Sequence, residues 1–356
     1  MTTRMEEYSD IAEKEMETSM GTSLRNFVIA LITTAMFSSV AIAQIVKQAQ
    51  VGFRFLENPV SAEVVGRGGV GLTTTYTSNA IFWNPALLGW VKPSADLSMD
   101  YTQGIADINY AASAVTFRIG DFGVVGLSLL NMDYGTFYST YAVDPSVNPA
   151  GYIETGTFSP QAFAVGIAFS QKMNDHFSFG VHLKDVEQNL GNAWVESGGA
   201  IVKHAKYKQN VWAMDVGAFY DFLYNGIRFG ATMQNISREV TYENESFPLP
   251  FAVSFGFAIT PLTFLSEDEA MKALTLNFET RHPRDFGEKV KYGAEYVIMD
   301  AFTARAGYMS NYDERGFTAG VGVRQSVSGT NLRVDYAYEP FGIFGAVHFI
   351  SLGISY

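Results

Sequence analysis

Three observations predict an all-β fold, a transmembrane antiparallel β-barrel of about 14 strands with an N-terminal luminal plug (a hatch). An apolar run stands near the start of the chain, and period-two alternation fills it from Ala95 to Tyr356. Between them lies Gly52–Trp90, rich in glycine and proline and without any sustained period. A loop-like segment of that length is uncommon unless it is functional or packed inside something larger.

The apolar run, residues 27–43, follows Arg25 and closes on Ala41-Ile42-Ala43, the small-x-small pattern of signal cleavage with Ala41 and Ala43 at the small positions. An N-terminal membrane anchor is the alternative, although seventeen residues fall short of the ~20 a spanning helix needs. Residues 1–19 carry six acidic groups, the wrong charge for an export signal, which points to Met20 as the start of translation. The expected division is therefore 1–43 export signal, 44–94 plug and 95–356 barrel, with the product in the outer membrane of a Gram-negative-type bacterium.

Composition agrees. Phe, Tyr and Gly number 28, 19 and 33 among 356 residues, an enrichment that suits pleated, half-buried surfaces. The chain has no cysteine, which excludes a disulfide scaffold and thiolate metal sites. Net charge is −12; removing 1–43 takes away six acidic and three basic residues and leaves −9. A nucleic-acid partner is not expected, because phosphate binding needs a basic patch.

Strands are expected at about 95–102, 109–118, 122–131, 161–171, 177–187, 210–221, 226–236, 249–260, 273–281, 289–298, 301–310, 316–325, 331–339 and 346–356. Most are close to the ~9–11 residues that cross a bilayer at a tilt, and the count is even, as in bacterial barrels. Connections near 119–121, 172–176 and 222–225 are short, whereas 132–160 and 188–209 are long loops. Short-inside, long-outside alternation is the barrel habit. The connection 261–272 departs from it, and its Ser266-led acidic segment predicts a short periplasmic helix.

Over the last six strands one face is uncharged, as in Leu274, Leu276 and Phe278 or Ile350, Leu352 and Ile354. The other carries Glu279, Arg281, Lys291, Glu295, Arg305, Arg324, Arg333, Asp335 and Glu339. A soluble sandwich would turn the charges to solvent; a barrel after an export signal turns them to the lumen and the apolar face to outer-membrane lipid. Five basic and four acidic groups could line an ion pathway, but their near balance points to a paired network, with Arg54, Glu57, Glu63 and Arg67 of the plug as partners. The terminal Tyr356 ends an amphipathic strand, the form resembling the signal that barrel-assembly machinery reads.

Gly66-Arg67-Gly68-Gly69-Val70-Gly71 has the spacing of a dinucleotide fingerprint, with Gly66, Gly68 and Gly71 at its glycine positions and Gly69 beside them. It lacks the strand and helix that would hold a pyrophosphate, so close backbone packing in a lumen is the better reading. His176, His182, His204, His282 and His348 show no metal-ligand spacing, and no nucleophile elbow occurs. His182 is expected to face the lumen, where a serine could meet it. No catalytic residue, cofactor or metal is assigned.

The plug's Phe55-Leu56, its glycine cluster and Asn79 to Ala86, with Trp83-Asn84-Pro85-Ala86 at the end, resemble the N-terminal signature of the PorV/PorQ family. That family is similar to FadL-type fatty-acid channels, with a fourteen-stranded barrel, a hatch and an N-P-A box. Glu63 and Leu87 stand where the family has arginine and glycine. The resemblance implies a type IX-like secretion role, binding or shuttling secreted proteins by their C-terminal sorting domains. The alternative it implies is hatch-gated transport of long-chain fatty acids or other hydrophobic small molecules. A barrel with no transport activity is the third reading.

Overall fold

Alternating large apolar and small residues place one face of each segment against lipid and the other against the lumen, and the chain folds accordingly. The structure is a computed structural model and describes residues 50–197, 200–242, 244–264 and 273–356. The expected export signal, with Ala41 and Ala43, and the expected helix near 266–272 lie outside these residues.

In chain order the strands are β1 (Ala95–Gln103), β2 (Asn109–Ile119), β3 (Gly123–Asp133), β4 (Phe137–Ala142), β5 (Tyr152–Phe158), β6 (Gln161–Lys172), β7 (Phe177–Ser197), β8 (Ala200–Asp221) and β9 (Arg228–Ser237). They continue as β10 (Val240–Tyr242), β11 (Glu245–Phe247), β12 (Ala252–Ile259), β13 (Leu274–Pro283), β14 (Lys289–Ile298), β15 (Phe302–Ser310), β16 (Phe317–Val327), β17 (Thr330–Pro340) and β18 (Ala346–Ser355). Fourteen of them form one closed antiparallel barrel, and the pairs β4–β5 and β10–β11 stand apart as loop hairpins. Closure is between β1 and β18, from Asp96 opposite Ser355 to Gln103 opposite His348. Closure leaves no sheet edge in the membrane.

Leu127, Leu129, Phe255, Phe257, Val321, Val323, Ile350 and Leu352 are exposed on the outside, as a lipid-facing belt requires. The chain is an outer-membrane barrel. The end that carries the C-terminal strand end and the tight connections 120–122, 173–176 and 328–329 is the periplasmic end.

Two loop expectations need correction. Residues 188–209 are not an irregular loop: β7 and β8, 21 and 22 residues long, continue past the rim as one hairpin with register shifts at Asn189/Asn192 and Val195/Glu196. Ladder hydrogen bonds join the two strands along this extension. Residues 132–160 likewise contain the β4–β5 hairpin. The eighth barrel strand starts at Ala252, three residues later than expected.

A fourteen-stranded barrel has a lumen too wide for its own side chains to fill. The hatch fills it in two apolar clusters. Phe53, Phe55, Val60, Ala62 and Val65 pack with Leu130, Met132, Leu249 and Phe349 towards the outer end. Ile81, Leu87, Leu88 and Val91 pack with Ala114, Val124 and Phe219 towards the periplasm. Burying Phe53 and Phe55 contributes roughly 1.5–3 kcal/mol each.

Candidate functional site: the hatch and its two cavities

The hatch touches the wall where the wall has no side chain. A Cβ on Gly293, Gly307 or Gly320, on β14, β15 and β16, would lie 2.3 Å from Arg67 O, 2.0 Å from Gly68 N and 2.8 Å from Gly66 Cα. On the opposite side Gly180 abuts Pro85, Gly217 abuts Asn84, and Gly230 and Gly256 abut Leu72. Gly68 and Gly69 have φ of +79° and +69°, which turn the hatch backbone against this wall. Gly71 lies under the Trp83 ring. Thr318 Oγ1 accepts from Gly68 N at 2.9 Å and donates to Gly66 O at 3.2 Å.

Charges then link hatch to wall. Arg67, fully buried, pairs with Glu63 at 3.3 Å and with Glu295 at 2.9 Å, and its other nitrogens donate to Thr75 Oγ1 and Val70 O. Arg305 continues the chain of pairs, 2.6 Å from Glu295 and 2.6 Å from Asp335. Lys291 meets Glu279 at 3.2 Å and donates to Gly69 O at 2.9 Å, while Glu279 accepts from Gly71 N at 3.1 Å. Arg281 approaches Glu57 at 3.7 Å, and Arg54 pairs with Glu57 at 3.1 Å and with Asp285 at 2.7 Å. Arg333 grips Asp96 through both oxygens at 2.7 and 3.0 Å, and Asp96 accepts from Ser78 N at 2.7 Å. Glu339 pairs instead with Arg315 at the outer rim, and Arg324 is exposed in the mouth of the periplasmic cavity.

The N-P-A segment is a built turn. Asn84 Oδ1 accepts from Ala86 N at 3.1 Å, its Nδ2 donates to Leu72 O and Ala218 O at 2.9 and 3.1 Å, and Pro85 starts the following 3₁₀ turn. Ala86 O accepts from Ser170 and Ser178. Asp96, Asp100, Thr318 and Asp285 were not among the expected site residues. The alternation of Asp96, Ser98 and Asp100 with Leu97 and Met99 in β1 was the available signal for two of them.

His182 faces the lumen with a serine partner. Ser128 Oγ lies 2.8 Å from His182 Nε2, and His182 Nδ1 lies 3.2 Å from Asp215 Oδ2. The connectivity is that of an acyl-transfer triad, but two features argue against that chemistry. Lys184 Nζ and Asn235 N, each at 2.8 Å, already hold Asp215 Oδ1. Ser128 also sits mid-strand, paired on both sides, so its neighbouring N–H groups serve the ladder rather than an oxyanion site. The cluster fastens a bulge between β8 and β9, where Asn235 has a φ of +59°.

The hatch separates two cavities. The outer one, ≈ 530 Å³, reaches from Arg54–Val60 and the rim residues Phe286 and Lys289 down to Trp83, Lys291 and the Ser128–His182–Asp215 cluster. The periplasmic one, ≈ 570 Å³, is bounded by Thr74, Tyr76, Arg228, Thr275, Glu295 and Arg324. Burial pushes the Tyr76 phenol up to about 12, so it stays a neutral donor, here to Thr73 O at 2.9 Å.

Burial also raises the Glu57 carboxyl above its usual 4.5, against the pull of Arg281 and Arg54. A carboxyl raised on folding stabilises fully below 4.5, and that contribution is lost as pH climbs through the raised value. Hydrogen exchange at residues 54–58, corrected for intrinsic rates, will therefore speed up over that window. Glu57→Gln will flatten the dependence; an unchanged profile in the variant would assign it elsewhere.

No protein-family model and no curated protein sequence matches the chain. Solved structures do. The Ralstonia pickettii toluene transporter TbuX is 14% identical over 86% of this chain and 98% of that chain, with a TM-score of 0.52. A Pseudomonas aeruginosa FadL homologue is 14% identical over 84% and 98%, with a TM-score of 0.53. This is the FadL-type fold. The Pseudomonas putida toluene transporter TodX shares the FadL-type barrel at 13% identity, 83% and 96% coverage and a TM-score of 0.53.

Proposed function

We propose that this FadL-type barrel passes hydrophobic small molecules across the outer membrane, with the hatch as the gate. The observation that carries the reading is the outer cavity: ≈ 530 Å³, floored by the hatch, with apolar Phe55, Leu130, Met132 and Met309 beside the cationic Arg54 and Lys289. That volume lies within the roughly 300–1,000 Å³ of small-molecule sites. Its apolar residues stand among many charged ones, including Glu57, Lys184, Arg281 and Lys291, a lining that suits an amphipathic guest. The descriptions of TbuX and TodX as toluene transporters point in the same direction.

Binding or shuttling of secreted proteins, in the manner of PorV/PorQ, is the second reading. The β7–β8 hairpin beyond the outer rim favours it, since it offers the extended surface a sorting domain would need. The motif that resembles that family supports it less. Asn84, Pro85 and Ala86 are buried against Leu72, Ala218, Ser170 and Ser178, where they hold the hatch and face no outer loop. Deleting the gene tests both. Lost uptake of toluene or a long-chain fatty acid with normal secretion supports transport. Normal uptake with secreted proteins stranded before surface attachment overturns it.

A further inference from the structure

The hatch is pinned unevenly. Its glycine loop is tied to β14–β16 by ion pairs and hydrogen bonds. β9 and β13 hold the hatch through Gln234 to Phe82 O, Arg281 to Glu57 and Glu279 to Gly71 N, and between these ties it rests on β9, β12 and β13 by close packing. There the inward residues form three rows across the sheet. Thr232, Ser254 and Arg281 are in register; next come Gly230, Gly256 and Glu279; then Arg228, Ala258 and Asn277. The outermost row reaches the outer cavity through Arg281, which lines it beside Gln234. The innermost reaches the periplasmic cavity through Arg228, which lines it with Thr275.

Leu72 occupies the middle row. Its backbone oxygen and Cβ sit in the notch left by Gly230 and Gly256, where added Cβ atoms would come within 2.4 and 2.9 Å of it. Polar atoms lie above and below this leucine with nothing to bond to. Thr232 Oγ1 and Ser254 Oγ on the outer side, both atoms of the Asn277 amide on the inner side, and Thr73 Oγ1 and Thr74 Oγ1 of the hatch have no hydrogen-bond partner among the described residues. Thr232, Ser254, Asn277 and Thr73 are each at least nine-tenths buried. Unpaired polar groups at that depth demand water, because leaving each bare costs about 1–3 kcal/mol. The sector is thus polar, then a row in which Leu72 fills the glycine notch while the Glu279 carboxylate beside it is fully engaged by Lys291 and Gly71 N, then polar, between two cavities.

We propose that water and small ions cross this barrel along β9, β12 and β13, with Leu72 as a hydrophobic gate set in a two-glycine notch. The route is independent of the guest that the outer cavity takes. A single apolar side chain between polar chambers closes such a path by excluding water, and opens it by a small shift or by becoming polar.

The full chain in planar bilayers with potassium chloride tests this. Leu72→Ser will raise conductance about tenfold while the hatch stays protected from protease, as expected for a dewetted constriction made wettable. Leu87→Ser, equally buried in the hatch but away from the seam, will leave it unchanged. Equal conductance for Leu72→Ser and the parent, or an equal rise with Leu87→Ser, would overturn the gate. The absence of native cysteine permits a second measurement that leaves Leu72 intact. Thr232→Cys will react with a small charged thiol reagent from the outer side only, and Asn277→Cys from the periplasmic side only. Failure of either to react from its own side would overturn the path.

Discussion

Gly307→Leu will expel the hatch and leave an open barrel. The glycine faces the lumen on β15, where an added Cβ would stand 2.0 Å from Gly68 N and 2.3 Å from Gly68 Cα. No rotamer relieves that clash, because both partners are backbone. The hatch cannot shift locally either: Gly68 is also fixed by Thr318, and Gly66 meets Gly320 at backbone distance. The outer barrel surface and the strand pairing of β15 do not involve the new side chain, so closure of the fourteen strands survives. The expected result is a heat-modifiable, membrane-inserted barrel with residues 50–94 open to protease and a conductance of porin type. A protected hatch would show that the glycine contact is not what seats it.

Arg67→Ala is the second large effect. The arginine is fully buried and serves Glu63, Glu295, Thr75 and Val70 at once. Removing it leaves Glu63 beside Glu295 without a cation between them, although Arg305 still reaches Glu295. Breaking a buried pair by deleting one partner costs about 3–5 kcal/mol, far above what an exposed pair contributes. The loss falls on hatch docking, so hatch proteolysis will accelerate while the barrel's own thermal transition moves little. Neutralising Glu63 and Glu295 together with Arg67 should recover part of the protection, since no buried charge is then left unpaired. Hatch protection that is the same in Arg67→Ala and the parent would refute the assignment.

Much of this architecture was legible from alternation, and the limits of legibility follow the same physics. Strands such as Ala252–Ile259 announce themselves because lipid on one side demands Val253, Phe255 and Phe257 while the hatch on the other demands Ser254 and Gly256. Beyond the membrane that demand ceases. Residues 188–209 lie beyond the barrel wall and do not alternate as its strands do, so the continuation of β7 and β8 left no periodic trace. The lumen charges of β13 to β17 could be placed on a face, but not paired. Arg67 and Glu295 lie 228 residues apart, and only the docked hatch brings them together. The Asp215–Asn235 bulge was silent for another reason, since a polar residue in a lumen strand reads the same whether it braces the wall or faces solvent. Trp83 to Ala86 lie within the hatch, where they are occupied in holding it and say little about the guest.

The hatch spans the barrel from rim to rim. Gly52 donates to Pro248 O in the outer loop between β9 and β12, with Phe53 against Phe247, while the other end runs without a break into β1 at the periplasmic rim. Its lower end is a covalent tether, so only its upper end can let go. Withdrawal is therefore one-directional, like a cork on a string held from below, and the outer loop is the catch. Any guest that binds better when Gly52 has left Pro248 must, by linkage, loosen the hatch to the degree that the hatch weakens the guest. Recognition outside and opening inside then become two readings of one free energy.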